Sequence, residues 1–171
     1  SRIYVSSDGR QFSIYSAADN INSFSRFYLN TNSTRLYDFL GDEQAIFSGD
    51  FTSFGHDEKR FFTDSLGHTR LYDLLGNEEA LFDGTFRGFS YGGKSLIASS
   101  SDQFGNSTTR LYDLSGNEKA VFEGRFIQLS IDGQRLVTSS DQRTRLYDLL
   151  GHEKAVFEGD FRGFSYDGQR L

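Results

Sequence analysis

The sequence predicts an all-β fold of repeated four-stranded antiparallel units, and two observations carry this prediction. The first is a stretch that occurs four times, at residues 34–49, 69–84, 109–124 and 144–159. Its tyrosines are 35, 40 and 35 residues apart, at Tyr37, Tyr72, Tyr112 and Tyr147. A period of this size indicates one supersecondary unit repeated in an array. The second observation is that Gly, Asn, Asp and Ser divide each unit into four short segments, as in antiparallel sheets.

The third unit shows the four segments, called strands a to d, most clearly. Residues 86–100 form two runs around Gly92-Gly93, which predicts a tight hairpin turn. Residues 108–122 form two more runs around a second turn. A helix over residues 74–82 is the alternative, but a glycine interrupts it, and helices shorter than about 12 residues are marginal without strong packing.

The repeats predict a single array over residues 1–171 rather than separate domains. The units run approximately over residues 2–49, 51–84, 86–124 and 126–159, with a partial fifth unit at residues 161–171. Because the chain starts on Ser1 and ends within a predicted strand, we expect it to be an internal segment of a longer repeat protein.

The connection between strands b and c is where the units differ. It is short in the second and fourth units, at residues 64–68 and 141–143, and longer in the third, at residues 101–107. In the first unit it extends over about residues 18–33. Length variation confined to one connection predicts protrusions on one face, and in repeat proteins that face is often the binding face.

Composition and charge limit the classes of partner. The net charge of −6 comes from interspersed charges without a basic run, which argues against nucleic acid or a membrane surface as partner. The absence of Cys excludes disulfides and thiolate metal sites. No apolar run approaches the ~18 residues of a membrane span. The compartment stays open, with the cytoplasm favoured.

The repeated sequence segments resemble the WD-repeat β-propeller family, in particular its highly repetitive bacterial and cyanobacterial members. The resemblance rests on residues 132–141, on the Thr-Arg-Leu-Tyr-Asp-Leu that follows, and on the Gly-x-Glu-x-Ala-Val-Phe-x-Gly after it. The family pattern recurs in register more than four times and so covers essentially the whole chain. It implies a β-propeller of four-stranded antiparallel blades, with about four and a half blades in this chain.

Three departures from the family pattern change what the resemblance implies. The Trp-Asp pair is Tyr-Asp here, at Tyr37-Asp38, Tyr72-Asp73, Tyr112-Asp113 and Tyr147-Asp148. The Gly-His pair lacks its histidine, and the proline before the Asp-Gly turn is absent. The family's buried His–Ser/Thr–Trp–Asp network is therefore not expected in its usual form, although Ser139, Ser140 and Asp141 can supply part of it.

Within the repeated stretch, the two-residue side-chain period places Tyr147 and Arg145 on one face of strand c. Tyr147 is predicted to be buried, with a partner for its hydroxyl. The recurring arginine is interpreted as making a structural pair with an Asp or a backbone carbonyl rather than as part of a ligand-binding ring. Recurring phenylalanines of strands d and a are predicted core residues: Phe47, Phe82, Phe122, Phe157, Phe51, Phe86, Phe126 and Phe161.

The sequence contains no set of residues with the spacing of a catalytic or metal site. His56, His68 and His152 fall at three different positions of the repeat and have no metal-ligand spacing. The acids that recur stand in turns, where Asp is common. Two Asn-Ser-Thr sequences, at Asn32 and Asn106, are interpreted as chance matches to the glycosylation pattern. We therefore expect no enzyme activity, no cofactor and no metal.

The candidate binding residues lie in the long b–c connections. Phe24, Arg26, Phe27 and Tyr28 combine aromatic rings and a guanidinium, the composition of binding hot spots. The alternative is that the aromatic residues extend strand c and cover the end of the blade. Phe104 and Asn106 of the third unit are expected on the same face.

These features favour a non-catalytic platform or scaffold that binds protein or peptide partners, within a larger propeller or a multidomain signalling protein. A glycan-binding, lectin-like propeller is the alternative. Association of two copies to complete a ring is a further expectation, because an open array leaves faces and edges uncovered.

Overall fold

The computed structural model describes residues 2–5, 11–16, 33–38, 42–55, 57 and 59–165, without the side chains of residues 2–5, 11–16, 38 and 44. The chain divides into two compact units, Ser1–Leu81 and Phe82–Leu171. The assignment of the whole chain to one domain stays a prediction.

The first compact unit, Ser1–Leu81, holds two four-stranded antiparallel sheets. Each is a meander in which strands that are neighbours in sequence pair in space. Sheet 1 consists of β1 (Arg2–Val5), β2 (Gln11–Ser16), β3 (Ser33–Asp38) and β4 (Glu43–Ser48). Sheet 2 consists of β5 (Asp50–Phe54), β6 (Arg60–Ser65), β7 (His68–Asp73) and β8 (Glu78–Asp83). The strand β8 occupies the end of the segment for which a helix was the alternative, so that alternative is wrong.

The second compact unit, Phe82–Leu171, repeats this arrangement. Sheet 3 consists of β9 (Thr85–Phe89), β10 (Ser95–Ser101), β11 (Ser107–Asp113) and β12 (Glu118–Glu123). Sheet 4 consists of β13 (Arg125–Leu129), β14 (Arg135–Ser140), β15 (Arg143–Asp148) and β16 (Glu153–Glu158). The predicted all-β fold of four-stranded antiparallel blades is confirmed, and this repeated meander is the blade unit of β-propellers.

Two local expectations are corrected. Gly92-Gly93 does not form a two-residue hairpin: five residues separate β9 from β10, and Tyr91–Gly93 forms a single 3₁₀ turn closed by the Gly93 N–H to the Ser90 carbonyl (2.9 Å). The start of the fifth unit carries no strand over residues 161–165. Residues 166–171 lie outside the described residues.

Each unit buries its core between its two sheets, because alternate residues of each strand point to opposite faces. In the second unit β12 buries Ala120 and Phe122 while Val121 stays exposed, and the core joins these two residues to Leu136 and Tyr147 of sheet 4. In the first unit the core is formed by Leu36, Phe47, Phe51, Phe61 and Tyr72. The core is thus built where one sheet faces the next.

The prediction for the recurring phenylalanines holds for part of the set. Phe47, Phe82 and Phe122 are buried, whereas Phe157 at the equivalent position of β16 is 42% exposed. The prediction that Phe157 lies in the core is therefore wrong. Burial of this position needs a following sheet, and residues 161–165, which come next, form none.

Candidate functional site

The repeated tyrosines Tyr72 and Tyr147 pack against the preceding sheet of the same compact unit. Tyr147 packs edge-on against Phe122, with ring centroids 5.3 Å apart, and the Tyr72–Phe47 pair has the same form at 5.0 Å. Tyr147 is buried, as the alternation of strand c predicted. Burial raises the pKa of the Tyr147 hydroxyl, because the phenolate would lose its hydration. The rings of Tyr72, Tyr112 and Tyr147 are buried and are not accessible to a ligand.

The repeated arginines are occupied by carboxylates of the chain. Each pairs with the first glutamate of strand d, over Nη1–Oε2 distances of 2.7 Å for Arg35–Glu43 and 2.6 Å for Arg70–Glu78. Arg145 pairs with both Glu153 and Glu123, each at 2.7 Å. Because Glu123 belongs to sheet 3 and Arg145 to sheet 4, this guanidinium ties two sheets of the second unit together.

The aspartate of the Tyr-Asp pair caps the turn between strands c and d. In the third repeat the Asp113 carboxylate accepts the N–H groups of Ser115 and Asn117, at 3.0 and 2.9 Å, and the Asn117 side-chain amide at 3.0 Å. The hydrogen bond from the Asn117 amide is the main cause that holds the pKa of Asp113 well below its usual range. Asp73 and Asp148 hold the same turn.

The b–c connection of sheet 3 uses this same five-residue turn. The Asp102 carboxylate accepts the N–H groups of Phe104 and Asn106 and the Asn106 side-chain amide, each at 2.9 Å. The Asp-x-x-Gly-Asn spacing was available in the sequence, at 102–106 as at 113–117, but its shared structure was not recognised. The turn holds Phe104 outward, 79% exposed.

A cleft of ≈ 450 Å³ lies beside this turn, between the b–c ends of sheets 3 and 4. We call it the b–c cleft. Its lining includes Asn106, Ser107, Glu123, Arg125, Ser140 and Asp141. One wall comes from the sheet 3 turn and β12, and the other from β13, the end of β14 and the turn after it. Two blades therefore contribute to one concave site at the face where the repeats differ.

The polar groups of the b–c cleft differ in what they are free to bind. The Glu123 carboxylate is held by Arg145, and the Ser140 hydroxyl accepts a longer hydrogen bond from the Arg145 Nε at 3.4 Å. Arg125 is exposed, and no carboxylate of the described residues pairs with it. Its planar guanidinium can therefore take a carboxylate of a partner.

The turn at the sheet 4 wall is a two-residue hairpin loop between β14 and β15. Asp141 and Gln142 have φ of 50° and 62°, and positive φ at both central residues is typical of the favoured two-residue hairpin turn. The equivalent loop of sheet 2, Leu66 and Gly67, has positive φ values of 52° and 79°. In sheet 4 this turn shapes one edge of the b–c cleft.

The sequence-predicted binding residues have two outcomes. Phe104 and Asn106 lie together in the turn beside the b–c cleft. Phe24, Arg26, Phe27 and Tyr28 lie outside the described residues, so their role stays a prediction. Arg125 was missed, although the sequence held a signal: the residue after the strand-d glycine is Asp50, Thr85, Arg125 or Asp160, so this position is not part of the repeat.

Other candidate chemistry is limited. His152 contacts the Asp148 carboxylate at 3.0 Å in a c–d turn, where Asn77 and Asn117 stand in the second and third units. Among the described residues no group of three or more His, Cys, Asp or Glu can hold a metal ion. The described part of the chain also has no helix long and apolar enough to cross a membrane.

Comparison with protein-family models gives no match, and comparison with curated proteins gives none either. Among solved structures, the chain is similar to "KlHsv2 with loop 6CD replaced by a Gly-Ser linker", with 14% identity and a TM-score of 0.49 over 86% of this chain and 60% of that one. It is also similar to the "Crystal structure of the eukaryotic initiation factor", with 11% identity and a TM-score of 0.49 over 93% of this chain and 55% of that one. The chain thus spans less than two thirds of both.

Proposed function

We propose that this protein is a non-catalytic binding platform for a protein or peptide partner, with the b–c cleft as its binding site. The observation that carries the proposal is a concave site of ≈ 450 Å³ at the end of the blades where the repeats differ. Beside it stand an exposed aromatic ring, Phe104, and an exposed guanidinium, Arg125. Aromatic residues and arginine are the types enriched in binding hot spots.

A peptide segment suits the chemistry of the cleft. Arg125 donates hydrogen bonds and Asp141 accepts them, so both kinds of polar group on an extended backbone can be satisfied. An acidic side chain or a terminal carboxylate can pair with Arg125 in a bidentate manner. The exposed ring of Phe104 belongs to the turn that contributes Gly105 and Asn106 to the lining, and it is available for apolar contact with a partner.

We also propose that the chain is a divergent WD-repeat protein of the bacterial type, and a scaffold within a larger propeller or a multidomain signalling protein. The support is the repeated Tyr-Asp stretch. Its tyrosine packs against the preceding unit and its aspartate caps the c–d turn, so both residues have a structural reason to recur in each blade.

Selection of a random peptide display library on the purified protein tests the binding site. The affinity of recovered peptides is then measured for Phe104→Ser and Arg125→Ala, with Leu150→Ser as the matched control. Leu150 is 75% exposed and holds the third position of the same Asp-x-x-Gly turn, but in a c–d connection. We expect each cleft variant to weaken binding by about tenfold or more, which corresponds to ~1.4 kcal/mol, and the control to bind as the wild type does.

Two outcomes contradict the proposal. One is peptide binding that Leu150→Ser weakens and the cleft variants leave unchanged. The other is saturable binding to a sugar on a glycan array, lost with Phe104→Ser, which supports the glycan-binding alternative instead.

A further inference from the structure

The turns between strands a and b of sheets 3 and 4 lie side by side. They stand at the end of the blades opposite the b–c cleft, because successive connections of a meander alternate between its two ends. A methyl group at Gly133 would lie 2.4 Å from the Cβ of Tyr91, so Tyr91 of sheet 3 rests on the turn of sheet 4. Tyr91 is nonetheless 78% exposed, and Ile131 in the neighbouring turn is 63% exposed. Two large apolar side chains thus stand in adjacent turns.

The a–b turn of sheet 3 lacks an aspartate that equivalent turns have. In sheet 4 the Asp132 carboxylate accepts hydrogen bonds from the Ser130 hydroxyl and from the Gln134 N–H, the latter at 3.0 Å. The residue at this position in sheet 3 is Gly92, and the Ser90 side chain caps no N–H among the described residues. Stability of the turn therefore does not explain why this repeat departs from the pattern.

The same departure makes the turn of sheet 3 more positive. Lys94 takes the place of Gln134, so the change from Asp-Gly-Gln to Gly-Gly-Lys removes a negative charge and adds a positive one. Lys94 is exposed, and no carboxylate of the described residues pairs with it. By contrast, the exposed Lys119 of β12 is held by the Asp113 carboxylate at 3.0 Å. Lys94 thus offers an ammonium group to a partner, three residues after Tyr91.

A second cation of this kind precedes the turn. Arg87 is the extra residue of a β-bulge in β9: it has no partner in β10, although Phe86 and Gly88 on either side of it do. Arg87 is exposed, and no carboxylate in the described part of the chain pairs with it. The bulge recurs in β5 and β13 with Thr52 and Ile127 as the extra residue, so it does not require an arginine. Bulges can re-aim a side chain beside a functional site.

We call Arg87, Tyr91, Lys94 and Ile131 the a–b patch. We propose that the a–b patch binds an acidic segment of a partner protein. Carboxylates of the segment pair with Arg87 and Lys94, and an apolar side chain packs against Tyr91 and Ile131. One short segment can reach these groups, because four residues of extended chain span at most about 14 Å between Arg87 and Tyr91. This surface is separate from the b–c cleft and does not rest on the function proposed for that cleft.

Charge complementarity favours an acidic protein segment over nucleic acid. The chain has 24 acidic and 18 basic residues, and Asp132 lies within the turns that carry the patch. These acids would repel a phosphate backbone with a charge at every nucleotide, whereas one or two carboxylates need only Arg87 and Lys94. The bulge in β9 also works against addition of a strand at this edge. Recognition therefore takes place through side chains.

Peptide selection on a chain without the cleft side chains tests the a–b patch. A random peptide display library is selected on the Phe104→Ser/Arg125→Ala protein, and we expect the recovered peptides to be enriched in Asp and Glu. In that background Arg87→Gln, Lys94→Gln and Tyr91→Ser are each expected to weaken binding by about tenfold or more. The matched control is Lys119→Gln, which removes the same charge from an exposed lysine that Asp113 already holds, and its binding should be unchanged.

Charge reversal tests whether Lys94 contacts the acidic residue directly. Lys94→Glu should weaken binding of a selected peptide, and exchange of the acidic residue of the peptide for lysine should restore it. The circular dichroism spectrum of Lys94→Glu is expected to match that of the parent, because the side chain is exposed. Absence of this rescue at any acidic position of the peptide would overturn the proposal. Equal weakening by Lys94→Gln and Lys119→Gln would do the same, since it would indicate a general effect of net charge.

Other outcomes also decide against the a–b patch. Recovered peptides without acidic enrichment would contradict the proposed chemistry. Binding to vesicles that contain phosphatidylserine, or to a single-stranded oligonucleotide, abolished by Lys94→Gln would assign the patch to a membrane surface or to nucleic acid instead. If the cleft-deficient chain selects no peptide, the a–b patch alone is overturned, because the b–c cleft is tested on the wild-type chain.

Discussion

The ring of Tyr147 in sheet 4 meets the ring of Phe122 in sheet 3 edge-on, at 5.3 Å and an interplanar angle of 71°. Both rings are buried. The same contact recurs between Tyr72 and Phe47 of sheets 2 and 1. This packing gives the tyrosine a structural reason to recur that does not involve a ligand.

Truncation of Tyr147 tests the role of this contact. Tyr147→Ala is expected to lower the free energy of unfolding by about 3–5 kcal/mol, since a large buried ring is lost and a cavity remains. Tyr147→Phe keeps the ring and is expected to cost no more than about 1.5 kcal/mol, the net worth of one hydrogen bond. Urea unfolding measures both, and equal losses for the two variants would contradict a packing role.

Gly124 tests the close approach of sheets 3 and 4. Gly124→Ala and Gly159→Ala share the backbone cost of a positive φ, 96° and 103°, but only at Gly124 does the methyl group meet a backbone oxygen, 2.9 Å away. We expect Gly124→Ala to be less stable than Gly159→Ala by about 1–3 kcal/mol, the cost of overpacking. Urea unfolding measures the difference. Equal stability would show that the sheets separate at no cost.

The Thr138 hydroxyl donates a hydrogen bond to the Glu123 carbonyl and so links sheet 4 to sheet 3. Thr138→Val keeps the shape but removes this donor, which is expected to cost about 1–3 kcal/mol. Thr138→Ser keeps the hydroxyl and serves as the control. If thermal unfolding shows the serine variant to be the less stable of the two, the methyl group rather than the hydrogen bond is what matters.

The c–d turn of sheet 3 predicts an acid sensitivity. The Asn117 amide is the main cause of the lowered pKa of Asp113. A lowered pKa in the folded state means that the turn contributes stability above the ordinary carboxyl pKa of about 4 and loses it as pH falls through the folded-state value. Stability should therefore decline below about pH 4, and less steeply in Asp113→Asn.

Carboxyl ¹³C titration by NMR checks the cause directly. Asn117→Ala removes the principal donor, so the pKa of Asp113 should move up toward its ordinary range. A titration midpoint that does not move would assign the shift to other donors, such as the Lys119 ammonium at 3.0 Å.

The sequence was sufficient for the sheets and for much of the core. A tyrosine every 35 or 40 residues fixed the repeat, and the two-residue alternation of strand c placed Tyr147 inside. It was insufficient for Phe157, whose local sequence matches that of Phe122. Burial of this position depends on a neighbouring sheet, and a local pattern carries no information about that neighbour.

The b–c cleft was predicted only in part. The unequal lengths of the b–c connections pointed to the end of the blades where the cleft lined by Asn106 lies, and a binding role for Phe104 and Asn106 stays a prediction. Arg125 comes from a different strand, β13, and joins the site only because sheets 3 and 4 pack together. The positive φ at Asp141 and Gln142 was also beyond the sequence, since neither residue type requires it.

The central claim is that the repeated residues hold the sheets together, whereas binding takes place where the repeats differ. Amide chemical-shift mapping of a library-selected peptide on the ¹⁵N-labelled protein tests it most directly. The account predicts that the largest shifts fall on residues 102–107, 125 and 139–142. Largest shifts on the repeated strand-c residues and c–d turns, such as 110–117 and 145–152, would contradict it.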